Sequence, residues 1–191
     1  MFQYPNIVSG ARRDGASRLR ARSPWRALVA AFVCMAASAN QLAPKQEQTL
    51  VILPFEIVDN TPVPGGAERN SSMLEKLTDF VAQRIDAADL YRVVPMERVR
   101  AVVADARLGT DVHTCNLCEI DLAKEAGGER VMVGWIYKMS MLVLTLHIEI
   151  KDVATEETVL LKAYDFRGDN EYAWRRAAEY MVRDLKNLSP Q

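Results

Sequence analysis

Two histidines and three cysteines are the whole supply of those residues in this 191-residue chain. So few histidines give little support to a hydrolytic triad, and no Gly-x-Ser-x-Gly elbow is present to hold a serine nucleophile. A second Cys-x-x-Cys, which would complete a closed zinc site, is missing. No glycine-rich phosphate loop occurs. Beyond residue 39, lysine and arginine are not gathered into a stripe, so nucleic-acid binding, which draws on phosphate neutralisation, has no footprint there. The amino-terminal apolar run, Ala27 to Ala36, is too short for a stop-transfer helix, which needs about 20 residues.

That run sits in a context of its own. Arg12, Arg13, Arg18, Arg20, Arg22 and Arg26 precede it with a single acid, Asp14, and the small-x-small pattern Ala37-Ser38-Ala39 follows it. A basic segment, a short apolar segment and a cleavage pattern read as a secretory signal peptide over residues 1–39, leaving 40–48 as a flexible mature amino terminus. Arg12-Arg13 lacks the apolar residues of a twin-arginine signal, and Phe32-Val33 before Cys34 are not the small residues of a lipoprotein box. Six of the 24 basic and one of the 25 acidic residues lie in this leader, so the remainder holds 18 against 24 and a net charge of −6. The expected product is an acidic periplasmic domain with no membrane span, no nucleic-acid partner and no cofactor.

About 150 residues make one domain that buries roughly 70% of its extended surface. Residues 49–187 are expected to form it. Thr49 to Asp59 is a β-branched and aromatic run that reads as a buried strand, and the Pro/Gly-rich stretch 60–70 reads as a loop. Ser72-x-x-Glu75 is a capping box, and Leu74, Leu77, Val81 and Ile85 behind it repeat at helical spacing. Tyr91 to Val94 predicts a short strand. Pro95 opens a second helix to about Ala106, and Glu119 to Ala126 predicts a third, ended by Gly127-Gly128. Val131 to Met139, the strictly alternating stretch from Leu142 to Lys151, and Thr158 to Phe166 predict an antiparallel meander. Asn170 caps a last helix carrying Trp174, Ala178, Met181 and Leu185. The order is β-α-β-α-α-β-β-β-α, with the first β-α-β unit pairing in parallel. The fold class is therefore α+β in two layers, a mixed sheet of about five strands with helices mainly on one face. The other face is partly polar and includes Thr145, His147 and Glu149.

Several phrases resemble a known family. "LVILPFEIVDN", "LYRVVPMERV", "AKEAGGERVMVGWIYK" and "IKDVATEETV" are similar to the TolB amino-terminal domain and its relatives among curli-secretion and flagellar outer-membrane lipoproteins. "CNLCEIDLA" and "FRGDNEYAWRRAAEYMVRD" more closely resemble an exported Gram-negative family of unknown function, over about residues 49–186. The resemblance implies an α/β domain acting through protein contacts in the envelope, with no catalytic residues to carry over. The chain departs from the pattern at Glu156-Glu157, where relatives have the glycine of a D-x-x-T-G turn, and no propeller of the TolB kind is expected in residues 1–191.

The remaining candidates are few. Cys115 and Cys118 are the only cysteines outside the leader, and export favours a bond between them. The alternatives are a redox pair, since a thiolate at a helix amino terminus is stabilised, and a metal site with His113, to which His147 adds a fourth ligand if the fold brings it near. Haem attachment fails because Glu119, not histidine, follows Cys118. Asp59, Asn60, Gly65, Gly66 and Arg69 form a candidate interaction or ligand loop beyond the first strand, where open sheets bind ligands. Glu56 and Lys138 sit among apolar neighbours and need partners if buried, so Glu56, Lys138 and Arg167 are expected to share an internal charge network. The expected function is a non-enzymatic periplasmic or envelope domain that binds a protein partner through a sheet face or edge and the 60–70 loop. A thiol-disulfide accessory role for Cys115 and Cys118 is the rival.

Overall fold

The computed structural model describes residues 48–188; the expected leader at 1–39, with Cys34, and the expected flexible amino terminus up to residue 47 lie outside the described residues. The elements are β1 (Thr49–Ile52), β2 (Glu56–Asp59), α1 (Gly66–Ala87), β3 (Arg92–Val93), α2 (Met96–Ala106), a 3-10 turn (Val112–Thr114), α3 (Cys118–Ala126), β4 (Arg130–Lys138), β5 (Val143–Asp152), β6 (Thr158–Arg167) and α4 (Glu171–Leu188). None of these helices is long and apolar enough to cross a membrane.

The first expected strand is two strands. Pro54 has no N–H to give a ladder, and Phe55 N donates instead to Thr78 Oγ1 of α1 at 3.0 Å. Both halves still run parallel to β4, β1 through Leu50–Ile52 and β2 through Glu56–Asp59. The break swings the Phe55 ring over Gly134, where a Cβ would meet it at 2.5 Å. Only glycine fits that point of β4. The sheet therefore has six strands, in the order β3-β1-β4-β5-β6 with β2 beside β4. β1 and β3 pair in parallel around α1, and β4, β5 and β6 form the antiparallel meander.

Helix α1 also differs from its expected start. It begins at Gly66 behind Gly65, whose φ of 68° makes a left-handed amino-terminal cap. Ser72 and Glu75 thus lie inside the helix and make no capping box. Asn170 does cap α4, its Oδ1 accepting from Ala173 N at 3.0 Å.

Strand alternation sorts the core into two clusters. Leu50, Ile52, Met132, Ile136, Leu144, Leu146, Ile148 and Ile150 face the two long helices, meeting Leu77, Val81 and Ile85 of α1 and Trp174, Ala178 and Met181 of α4. Val51, Leu53, Val131 and Val133 point the other way, toward the short helices, meeting Val99 and Val102 of α2 and Ile120, Leu122 and Ala123 of α3. The β5–β6 part of that second face carries Thr145, His147 and Glu149 beside exposed Leu161 and Ala163.

The turn between β5 and β6 accounts for the unusual glutamate. Asp152 Oδ1 accepts from Ala154 N and Thr155 N, each at 2.8 Å, and Glu156 is forced to a φ of 63°. A left-handed backbone costs a residue with a Cβ about 1–2 kcal/mol, while glycine adds chain entropy on the unfolded side. Glu156→Gly is expected to stabilise the domain by about 1 kcal/mol, because its ion pair with Lys124 is exposed and weak. A higher urea midpoint at unchanged slope is the reading to look for.

Candidate functional site

Four features meet the description of a site, and two of them join at one end of the sheet. Lys138, at the end of β4, has no exposed surface and places its Nζ 2.9 Å from Asp59 Oδ2 and 2.9 Å from Asp169 Oδ2. Arg69 of α1 reaches the same Asp169 oxygen at 2.7 Å, and Asn70 Nδ2 donates to Asp59 Oδ2 at 3.1 Å. Two cations and two carboxylates thus close a network that is buried except at Arg69, whose side chain is 42% exposed. Burial pushes the Asp59 carboxyl up, but hydrogen bonds from Lys138, Thr61 N and Asn70 outweigh it and leave the group below its ordinary range. Burial likewise pulls Lys138 down, and its bonds to Asp59 and Asp169 more than restore it, to above the ordinary lysine value.

This is not the network expected from the sequence. Glu56 faces Trp135 across the ladder while Asp59 faces Lys138, three residues on, so Glu56 and Lys138 point to opposite faces. Arg167 is exposed at the end of β6 and makes no ion pair in this cluster. Of the candidate loop, Asp59 and Arg69 enter the network, Asn60 N donates to Lys138 O at 3.1 Å, and Gly65 and Gly66 shape the start of α1. The signal for Asp169 was absent, because it sits in a Gly-Asp-Asn connection that reads as turn and cap.

The same end of the sheet is apolar outside. The β4–β5 connection exposes Met139 (58%), Met141 (43%) and Leu142 (69%), followed by Val143 (44%), and Val63 (41%) stands in the neighbouring loop. Backbone bonds from Gly168 N to Leu142 O and from Asp169 N to Met141 O tie this hairpin to the charge network below.

Glu56 serves the other face. Its carboxylate accepts from Val112 N at 2.6 Å, His113 N at 3.0 Å and His113 Nδ1 at 2.6 Å, anchoring the 3-10 turn to the sheet. The His113 ring stacks on Trp135 with centroids 5.4 Å apart, and Trp135 stacks on His147 at 4.9 Å. Burial lowers the His147 pKa, partly opposed by Asp165. The indole lies between the two imidazoles, so His147 does not join His113 as a metal ligand. Neither histidine's neighbours in sequence hinted at this stack.

Cys115 and Cys118 form a disulfide with Cα atoms 5.9 Å apart. Their sulfurs and a Glu119 oxygen lie within 4.8 Å of one another, the one such group of His, Cys, Asp and Glu among the described residues. The sulfurs are bonded to each other, so both thiolates are consumed and the group is a disulfide with a carboxylate beside it. Glu119 Oε2 is 3.6 Å from Cys115 Sγ, and Glu119 Oε1 is 2.6 Å from Lys151 Nζ. Burial lowers Lys151, but the Glu119 hydrogen bond and charge outweigh it, and the ammonium is held above its ordinary value.

The chain belongs to the DUF3280 family, described as "Protein of unknown function (DUF2380)", whose model matches residues 48–185. No curated protein matches it. Among solved structures it is similar to LpoB of E. coli, with 14% identity over 64% of this chain and 55% of that chain and a TM-score of 0.48. A PelC dodecamer from Paraburkholderia phytofirmans gives 12% identity over 76% of this chain and 90% of that chain, with a TM-score of 0.43. TolB from Acinetobacter baumannii gives 15% identity over 73% of this chain and 27% of that chain, with a TM-score of 0.41. The chain thus spans about half of the LpoB chain and about a quarter of TolB. Likeness at this level extends to neither activity nor partner.

Proposed function

We propose that the domain, residues 49–187, works in the periplasm or envelope as a protein-binding module without an enzymatic reaction of its own. The observation that carries this reading is the apolar end of the sheet, where Val63, Met139, Met141, Leu142 and Val143 are all more than 40% exposed. Exposed apolar side chains gathered on one connection mark interaction sites, and methionine adapts its unbranched side chain to different partners. Beneath the patch, Lys138, Asp59, Asp169 and Arg69 hold the hairpin and the 60–70 loop in place, so a partner meets a preorganised support. The loop residues Asp59, Asn60, Gly65, Gly66 and Arg69 act here as scaffold and rim. Export is supported by the leader pattern of residues 1–39 and by the Cys115–Cys118 bond, since disulfides persist in oxidising compartments.

A photoreactive amino acid at Leu142 tests the assignment in living cells. One discrete adduct is expected from position 142 and none from exposed Gln83, which lies about 25 Å along α1 from Gly66. Met141→Asp together with Met139→Asp should abolish the adduct while leaving the urea midpoint unchanged. Equal labelling from both positions, or none from 142, would overturn the reading.

A further inference from the structure

The surroundings of the Cys115–Cys118 bond hold more than a cross-link requires. Cys118 is the first residue of α3, where unpaired backbone N–H groups and the helix dipole favour a thiolate. Leu117 between the cysteines has a φ of 68°, a left-handed conformation that a bulky residue adopts only at a cost. Both cysteines are half-buried, and Asn116 and Leu117 between them are exposed, so the bond lies at the surface. Glu119, by contrast, has a side chain only 3% exposed. A carboxylate taken out of water requires a partner, and Lys151 provides it. Its second oxygen is left facing Cys115 Sγ at 3.6 Å.

These positions make the two sulfurs unequal. A charge on Cys118 is stabilised by the start of α3, while Glu119, within 4.8 Å of both sulfurs, stands only 3.6 Å from Cys115 Sγ and opposes a charge there more strongly. The more stable thiolate is the better leaving group in thiol-disulfide exchange.

We propose that Cys115–Cys118 is an exchange centre that oxidises a dithiol pair on a partner protein, with Glu119 as the positioning residue that keeps reduced Cys115 protonated. One partner thiolate attacks Cys115 Sγ. A partner–Cys115 disulfide forms, the Cys115–Cys118 bond breaks, and its electron pair leaves on Cys118. The partner's second thiolate then attacks the partner sulfur of the mixed disulfide. The partner's own disulfide forms and Cys115 is released, taking up a proton and donating it in a hydrogen bond to Glu119 Oε2. The partner loses two electrons and two protons. The domain gains two electrons and the proton on Cys115, and the other proton goes to solvent or to Cys118. The domain is a stoichiometric oxidant, used once until it is reoxidised. This goes beyond the binding role and uses a different surface.

The test begins with the full chain carrying its disulfide, one portion equilibrated with mixtures of reduced and oxidised glutathione and another, free of glutathione, mixed with a peptide bearing two cysteine thiols. Reduced and disulfide forms are counted by thiol alkylation and mass. The pair is expected to be partly reduced where the two glutathione forms are comparable, and to oxidise the peptide in equal amount. A pair that stays oxidised in large excess of reduced glutathione and leaves the peptide reduced is a structural cross-link, and the proposal fails. For Glu119, the reduced fraction is followed against pH. Glu119→Gln should lower the pH at which Cys115 gives up its proton, by about a factor of ten in the thiol-thiolate equilibrium. Because Glu119→Gln leaves Lys151 with only Glu149, 3.7 Å away, the double variant Glu119→Gln/Lys151→Met removes both charges and repeats the measurement. A pH profile identical to wild type in both variants would remove Glu119 from the mechanism.

Discussion

Lys138→Met is expected to cost the domain about 3–5 kcal/mol, a large part of the stability of an ordinary single domain. Methionine matches the length of the lysine stem but brings no charge, so Asp59 and Asp169 are left facing each other with only Arg69 as a cation. Asp169 has no exposed side-chain surface and Asp59 only 14%, so water cannot replace the ammonium. The sign of the pH dependence follows from the shifts. Asp59 is depressed, so its contribution is complete above the ordinary carboxylate pKa and is lost as pH falls through the lowered value. Lys138 is raised, so its contribution is complete below the ordinary lysine pKa and is lost as pH rises through the raised value. Wild type should therefore keep the full contribution across neutral pH. In Lys138→Met the Asp59 carboxylate loses the Lys138 hydrogen bond and is easier to protonate, and the gap to wild type should narrow as the pH is brought down toward 4, near the carboxylate reference value. Urea midpoints at neutral and acid pH measure it. A loss under about 1 kcal/mol at neutral pH would mean the pair is solvated in solution.

Trp174 should show a different balance. Its side chain is 1% exposed in the main core, so Trp174→Ala is expected to lose about 3–5 kcal/mol through lost burial and an unfilled cavity. The indole Nε1 is buried with no hydrogen-bond partner among the described residues. An orphan donor costs about 1–3 kcal/mol, so Trp174→Phe removes that penalty while keeping most of the apolar contact. Phenylalanine is expected to stay within about 1 kcal/mol of wild type, well apart from alanine. If phenylalanine proved as damaging as alanine, the fit of the whole indole, and not its apolar area, would govern the packing of α4 on the sheet.

How far the sequence could be read differs from element to element. The β5 alternation from Leu144 to Lys151 needed no tertiary information, because a strand with one buried face writes its period of two into the chain; Leu142, expected to share that face, stands before the strand and is 69% exposed. The cap at Asn170 and the glycine stop at Gly127 were local signals and acted locally. Ser72-x-x-Glu75 was an equally good local signal and did not act. Gly65 and Gly66 turn the chain earlier, and starting there brings Arg69 and Asn70 to Asp169 and Asp59. Pro54 was visible, but the splitting of the first strand depended on Thr78, 23 residues away, accepting the Phe55 amide.

The candidate site divides along the same line. Cys115 and Cys118 are three residues apart, and local spacing together with an expected oxidising compartment was enough to join them. That Glu119 would be buried beside them required Lys151, which lies 32 residues on. Lys138 announced a need for a partner by its apolar neighbours, and the ladder register chose the partner. Asp59 lies opposite it and Glu56 lies one step out of phase, on the other face.

By itself the sequence determined the class of fold, the meander and the disulfide, because periodicity and short spacing are local properties. The tertiary structure alone decided which charges meet, that a tryptophan separates the two histidines, and that methionines gather over a buried ion network. Those outcomes depend on strand register and on which face a residue occupies, and a single-residue change of phase reverses them.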